Sequence, residues 1–481
     1  MGLLGILVGL SLLIWLAYRG WSILLLAPAT ALLAALFAGE PLLASWTQIF
    51  MGSAAQFVAQ FFPLFLLGAL FGKLMDDTGS VQAIARPMSA RLGLQRSILA
   101  VVLAGAIVTY GGVSVFVAFF VLGPMAIALF READIPRRLM PAAVALGTST
   151  FTMTALPGTP AIQNAIPMPF FGTTPFAAPG LGLIASAIML GFGLWWLARA
   201  EAAARRAGEG FGGDSAGAPA DDQLLRERAT TAREFDPAEI AHGQHSTDDP
   251  PVWIAALPLL VVIAVNLLMS LFVLPRLDFS FLAKEQWGGT SLSAVAGVWS
   301  VAVALAAATV ILIACNFRRL PSLRSSMDAG ANASVLPILS VASLVGFGAV
   351  VAALPAFALV REWVLSIGGG PLVSLAVATN VLAALTGSAS GGLTIALDAL
   401  GATYMQLAAQ YGIDPALMHR VAVIGAGTLD SLPHNGAVVT LLAVCGATHR
   451  ESYLDIVMVA IVGAIVALAA VIVLGSVFGS F

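Results

Sequence analysis

The sequence predicts an all-α polytopic membrane protein made of two inverted repeats, each with five transmembrane helices and one re-entrant hairpin. Three observations carry this expectation. The 481 residues are 59% hydrophobic and 10% charged, with a mean hydropathy of +0.96, whereas a soluble domain carries about a quarter charged residues. Two long apolar segments, 97–130 and 371–402, are interrupted by Gly, Ser and Thr at corresponding places in the two halves. When both are drawn as hairpins, the 22 lysines and arginines divide 18 against 4 between the two sides of the membrane.

The elements follow in order once a bilayer crossing is taken as about 20 apolar residues. The first, 3–18, lacks a positively charged leading region and a small-residue cleavage site, so it reads as a retained span rather than a signal peptide. Spans 21–38 and 46–72 come next. Segment 97–130 is too long for one crossing at about 1.5 Å per residue and too short for two. It reads as a hairpin that enters and leaves on one side, with Thr109-Tyr110-Gly111-Gly112-Val113-Ser114 at its tip. Segment 139–165 is a helix broken at Thr148-Ser149-Thr150 and again at Pro157-Gly158-Thr159-Pro160, and span 179–199 completes the first repeat, 1–199. Residues 200–250 are rich in Ala, Gly, Glu, Asp and Arg without apolar periodicity, and read as a flexible polar linker.

The second repeat, 251–481, offers spans 252–274, 293–315 and 332–358, then the hairpin 371–402 with Thr386-Gly387-Ser388-Ala389-Ser390-Gly391-Gly392 at its tip. A broken helix, 416–447, carries Thr428-Leu429-Asp430-Ser431-Leu432-Pro433-His434-Asn435-Gly436, and span 453–479 follows. Gly147-Thr148-Ser149-Thr150 aligns with Gly425-Ala426-Gly427-Thr428, and Thr109-Tyr110-Gly111-Gly112 with Thr386-Gly387-Ser388, at offsets of 278 and 277. A nearly constant offset is what a duplicated unit produces.

Placing 200–250 in the cytoplasm leaves Arg276, Lys284, Arg361 and Arg420 outside and the other 18 basic residues inside, as the positive-inside rule requires. Both termini then lie outside the cytoplasm, on the periplasmic face. The first half begins outside and the second inside, which makes the repeats inverted. Stretches 73–96, with Lys73, Asp76 and Asp77, and 316–331 read as interfacial segments on the cytoplasmic face.

A net charge of −3 gives no reason to expect a nucleic-acid partner. Cys315 and Cys445 lie in apolar spans 130 residues apart and read as core residues, so no disulfide, metal site or cofactor is expected. One short break holding Asp430, Ser431 and His434 has neither metal spacing nor a nucleophile elbow, which argues against an intramembrane enzyme.

The chemistry is in the breaks. Backbone that leaves the helix at membrane depth needs partners that lipid cannot supply, and paired interruptions in two halves point to a secondary transporter's binding site. Half-helix N-termini at the tips suit a carboxylate. The substrate-binding candidates are Tyr110, Gly111, Gly112, Ser114, Thr148, Thr154, Gly158 and Thr159 in the first half, with Thr386, Gly387, Ser388, Ser390, Gly391 and Asn435 in the second. Thr428 adds a further hydroxyl. No Arg or Lys falls inside a break, which fits a monoanion better than a di- or tricarboxylate. The alternative is that small residues merely allow close helix packing. Ionisable groups at this depth are functional by default: Asp430 and His434, four residues apart, form a candidate proton-coupling pair. The competing reading has Asp430 capping a half-helix near Ser431. Asp398, near the far end of the second hairpin, reads as facing water. The first half offers only Gln163 and Asn164 after its break.

Four runs carry a resemblance: Tyr110-Gly111-Gly112-Val113-Ser114-Val115-Phe116, Phe130-Arg131-Glu132-Ala133-Asp134-Ile135-Pro136, Phe151-Thr152-Met153-Thr154-Ala155-Leu156-Pro157-Gly158-Thr159-Pro160 and Asp430-Ser431-Leu432-Pro433-His434-Asn435-Gly436. The chain resembles the gluconate permease (GntP) family of the ion transporter superfamily, and within it the D-beta-hydroxybutyrate permease-like branch, over nearly its whole length outside 200–250. The resemblance implies a bacterial inner-membrane symporter of small organic acids such as 3-hydroxybutyrate or gluconate. It also implies a homodimer with a scaffold and an elevator-like transport domain, and tilts the coupling ion towards the proton. Sodium stays open beside it, and an organic-anion channel is the less favoured alternative.

Overall fold

The computed structural model describes residues 2–18, 21–212, 246, 248–433 and 435–481, all helix, turn or loop. The first half holds α1 (Gly2–Tyr18), α2 (Ile23–Ala38), α3 (Leu42–Asp77), α4 (Ser80–Leu92), α5 (Ser97–Tyr110), α6 (Val115–Glu132), α7 (Met140–Thr148), α8 (Phe151–Thr154), α9 (Ile162–Ala165), α10 (Pro167–Phe171) and α11 (Pro179–Arg206). The second holds α12 (Val252–Arg276), α13 (Leu292–Asn316), α14 (Leu323–Ala333), α15 (Val335–Ala353), α16 (Phe357–Leu365), α17 (Gly370–Thr386), α18 (Ala389–Tyr411), α19 (Pro415–Leu429), α20 (Gly436–Val444) and α21 (His449–Phe478). Among the described residues, seven helices are long and apolar enough to cross a membrane. With the shorter apolar helices packed among them, the chain is a multi-pass membrane protein.

Each interrupted segment turns for a local reason. α5 stops at Tyr110 because Gly111 and Gly112 follow; Gly112 has φ +102°, a conformation that L side chains avoid. Ser114 then starts α6 in an extended conformation. At the second tip, Gly387 closes α17 in the left-handed region, and Ser388 N-caps α18 by accepting from the Gly391 amide at 3.2 Å. Each interrupted segment is thus two helices joined at a turn, α5 to α6 and α17 to α18, with α18 running on to Tyr411.

Packing partners recur between the halves. α1 lies on α2 as α12 lies on α13; α2 packs on α15 as α13 packs on α3; α3 and α15 pack on each other between them. α5 lies on α7 and α17 on α19. A Cβ on Gly147 of α7 would meet the Val102 carbonyl of α5 at 2.3 Å, and one on Gly425 of α19 would meet Thr379 Oγ1 of α17 at 2.4 Å. These two contacts are related by the sequence offsets of 278 and 277, so the duplicated glycines serve close helix approach.

The first-half break is more fragmented than one interrupted helix, because 149–178 holds only short helical pieces. Its loose carbonyls are met by side-chain donors, as the apolar setting demands. Arg420 Nη1 donates to Thr154 O at 3.1 Å and Nη2 to Ala177 O at 2.7 Å. Tyr110 Oη donates to Pro157 O at 2.8 Å, Asn266 Nδ2 to Gly158 O at 2.9 Å, and Asn164 Nδ2 reaches Thr159 O and Pro175 O, both at 3.0 Å. Since both Asn164 bonds to carbonyls use its NH₂, its Oδ1 must accept, which puts a proton on His419 Nε2 at 3.1 Å. His419 Nδ1 lies 2.6 Å from Thr173 Oγ1.

Several expectations are corrected. Arg420 is no exposed loop cation but a fully buried clamp, because it lies inside α19 facing the irregular first-half segment. Lys73, Asp76 and Asp77 are not exposed on a surface segment: they form the buried end of α3. Residues 200–206 continue α11 as helix. Residues 207–212 stay ordered, with Glu209 paired to Arg138 and the Phe211 amide donating to Asp134. Residues 213–245 of the linker lie outside the described residues. Asp398 lies mid-helix in α18 rather than at a helix end, on an exposed face. Asp430 ends α19, and Asn435 caps α20 in the place foreseen for Asp430.

Candidate functional site

The two hairpin tips and the two breaks converge on one cavity of about 220 Å³. That far exceeds the roughly 10–15 Å³ that one water needs on this measure, and it suits a small organic acid. Gly112 and Ser114 come from the first tip, Ala389 and Ser390 from the second. Thr148, Ser149, Thr152 and Gln163 come from the first-half break, and Asp430 and Asn435 from the second-half break. The end of α3 adds Lys73 and Asp76, and the start of α15 adds Ser334 and Pro337.

The sequence explains this meeting. α6 begins at the cavity wall without a side-chain cap, and Val115, Phe116 and Val117 of its first turns line the space. Amide donors and the positive end of the helix dipole therefore sit at the cavity. Each tip is stitched to the break of its own half. Thr109 Oγ1 lies 3.2 Å from Thr152 Oγ1, and Asn435 Nδ2 donates to Gly387 O at 2.7 Å. Asn435 Oδ1 meanwhile accepts from the Ala437 amide at 2.6 Å. Asn435 thus spends both ends of its amide on holding α20 to the second hairpin.

Of the residues singled out in the sequence, Gly112, Ser114, Thr148, Ser390, Asp430 and Asn435 line the cavity. The others stand behind it. Tyr110 straps the Pro157 carbonyl, and Gly111 faces Leu259. Thr154 and Thr428 bond back to their own helical turns, and Gly158 packs on Phe176. Thr159 is buried beneath Asn164. Thr386 and Gly387 end α17, Ser388 caps α18, and Gly391 abuts Leu344. His434, the intended partner of Asp430, lies outside the described residues. Ser431 Oγ donates to Asp430 Oδ1 at 3.2 Å.

Lys73 and Asp76 are charged lining residues that the sequence reading assigned to the membrane surface instead of the site. Lys73 is 4% exposed, and its Nζ lies 3.0 Å from Asp77 Oδ1 one turn along α3. Asp76 is 6% exposed. An i, i+4 Lys–Asp pair closing an apolar run was the available signal, and the common use of such residues as membrane-surface anchors obscures it.

The model of the family described as "CitMHS: Citrate transporter" matches residues 10–296, more than half of the chain. The uncharacterized transporter YxjC of Bacillus subtilis (strain 168) is 42% identical over 470 residues, covering 96% of each chain. The high-affinity gluconate transporter of Escherichia coli (strain K12) is 38% identical over 104 residues, 21% of this chain and 23% of that one. These matches accord with the gluconate-permease motifs, and the relatives are transporters rather than enzymes. The chain belongs to the citrate transporter family, within the wider group of citrate and gluconate permeases.

Proposed function

We propose that this transporter is a symporter that imports a small hydroxylated monocarboxylate, of the 3-hydroxybutyrate or gluconate kind, with a proton by alternating access. The convergence of both tips and both breaks on one cavity carries the reading. Donors from an uncapped helix start and from Ser114 and Ser390 suit a carboxylate and hydroxyls. Among the described residues lining the cavity, Lys73 is the one cationic side chain, which favours one carboxylate over citrate's three.

Charge supports coupling to a cation. Asp76 and Asp430 line the space beside Lys73, so an entering anion adds to a carboxylate excess unless a cation accompanies it. Asp430, with His434 beside it in sequence, is the proposed proton carrier. The recurring packing of the two halves supports inverted repeats, with the hairpin-and-break units as the moving part and α3 and α15 in the fixed part. We place the 200–250 segment and its basic residues in the cytoplasm of a bacterium and the protein in its inner membrane, as a homodimer.

Uptake of radiolabelled 3-hydroxybutyrate, gluconate, lactate, glycerate and citrate into proteoliposomes, with imposed proton or sodium gradients, tests this. A monocarboxylate accumulated under an inward proton gradient is expected, and His434→Gln should abolish accumulation while sparing exchange. Accumulation driven by sodium alone, or of citrate alone, would overturn the reading.

A further inference from the structure

We infer that Lys73 is the counter-charge for the substrate's carboxylate, held in waiting by Asp77. This rests on the transport reading above and adds the residue that selects acid over neutral analogue. Three observations point to it. Lys73 lines the cavity shared by both hairpin tips, where it is the one cationic side chain among the described lining residues. It is 4% exposed, so its charge acts where water screens little. Its Nζ is 3.0 Å from Asp77, a fully buried carboxylate that does not itself line the cavity.

A buried ammonium needs a partner in the empty carrier, since an uncompensated one is costly. Asp77 supplies it from behind the wall, in the same helix and one turn on, so its position is fixed whether or not the substrate is present. An ammonium has three donors on a flexible stem. One can stay with Asp77 while another turns to a carboxylate in the cavity, so no bare charge is left at any stage. The other ionisable side chains among the described lining residues, Asp76 and Asp430, are acidic and offer the carboxylate no counter-charge. They leave Lys73 as the end of the cavity where the carboxylate settles, with the substrate's hydroxyls towards Ser114 and Ser390.

A purely structural role, in which Lys73 only neutralises Asp77, makes different predictions. The experiment uses the acid of the panel that the wild type takes up fastest, and its carboxamide as competitor. Lys73→Met should weaken the acid about tenfold to a hundredfold, the range for losing a hydrogen bond to a charged group. The amide should change little, so the acid-over-amide preference should fall at least tenfold. Lys73→Met with Asp77→Asn, which leaves no buried charge unpaired, should show the same fall. Asp77→Asn alone keeps the ammonium and removes its competitor, so it should bind the acid as tightly as the wild type or more tightly.

Recovery of wild-type affinity in the double variant would overturn the assignment, as would a fall in preference of less than tenfold. If the double variant does not fold, Asp77→Asn decides: a loss of acid affinity matching that of Lys73→Met contradicts the inference. A wild type that takes up no acid of the panel sinks the functional reading beneath it. A wild type that transports an acid, with preference intact in Lys73→Met, sinks this inference alone.

Discussion

Gly112 combines two demands in one residue. Its φ of +102° ends the first hairpin arm, and a Cβ there would meet Pro160 Cγ at 3.2 Å and Leu305 Cδ2 at 3.3 Å while projecting at the cavity wall. Gly112→Val is expected to cost about 1–3 kcal/mol of backbone strain and to reduce acid uptake at least tenfold in protein that still elutes as a folded species. Wild-type uptake kinetics in that variant would make the tip a packing device. Gly391 differs, because a Cβ there strikes Leu344 Cδ1 at 2.4 Å in buried packing before reaching any ligand. Residue type alone could not separate these two glycines. The hydroxyls behave likewise: Ser114 lines the cavity, whereas the hydroxyls of Thr148, Thr154 and Thr428 donate to carbonyls of their own helical turns.

The hairpins and breaks are legible in the sequence because glycine and proline stop helices through the backbone itself, whatever lies nearby. What satisfies a break is not legible, since its partners come from distant elements: Arg420 and His419 from α19, Asn266 from α12, Tyr110 from α5. Lys73 was obscure for a related reason. A lysine closing an apolar run looks like an anchor at the membrane surface until the packing of α3 turns it inward. Arg420→Met tests the break's reliance on its clamp. Thr154 O and Ala177 O would each lose a donor, at about 1–3 kcal/mol per buried group. A clearly lowered unfolding midpoint in detergent is therefore expected, with the acid-over-amide preference kept because Arg420 does not line the cavity. An unchanged midpoint would mean that water already serves those carbonyls.

At the scale of the whole molecule, the two halves exchange clamps. Arg137 donates to the Gly446 carbonyl, and Arg138 reaches Asp455 at 2.8 Å from the first half into the second. Arg420 reaches back from the second into the first. This reciprocity suits repeats of opposite orientation, for which sidedness is the direct check. Cysteine at Ser215 is expected to react with an impermeant maleimide only from the cytoplasmic face; labelling of intact cells from outside would remove the topology and the inversion together.

On the transport reading proposed above, the cavity between the tips is the substrate site and opens to one side at a time. Ser114 lines it and is half-buried, so Ser114→Cys, in a background with Cys315 and Cys445 replaced, reports on it directly. Maleimide labelling is expected from either face of oriented proteoliposomes, with each face favoured under the opposite gradient and both suppressed by the transported acid. Labelling that the acid does not suppress, or that proceeds from only one face whatever the gradient, would contradict it.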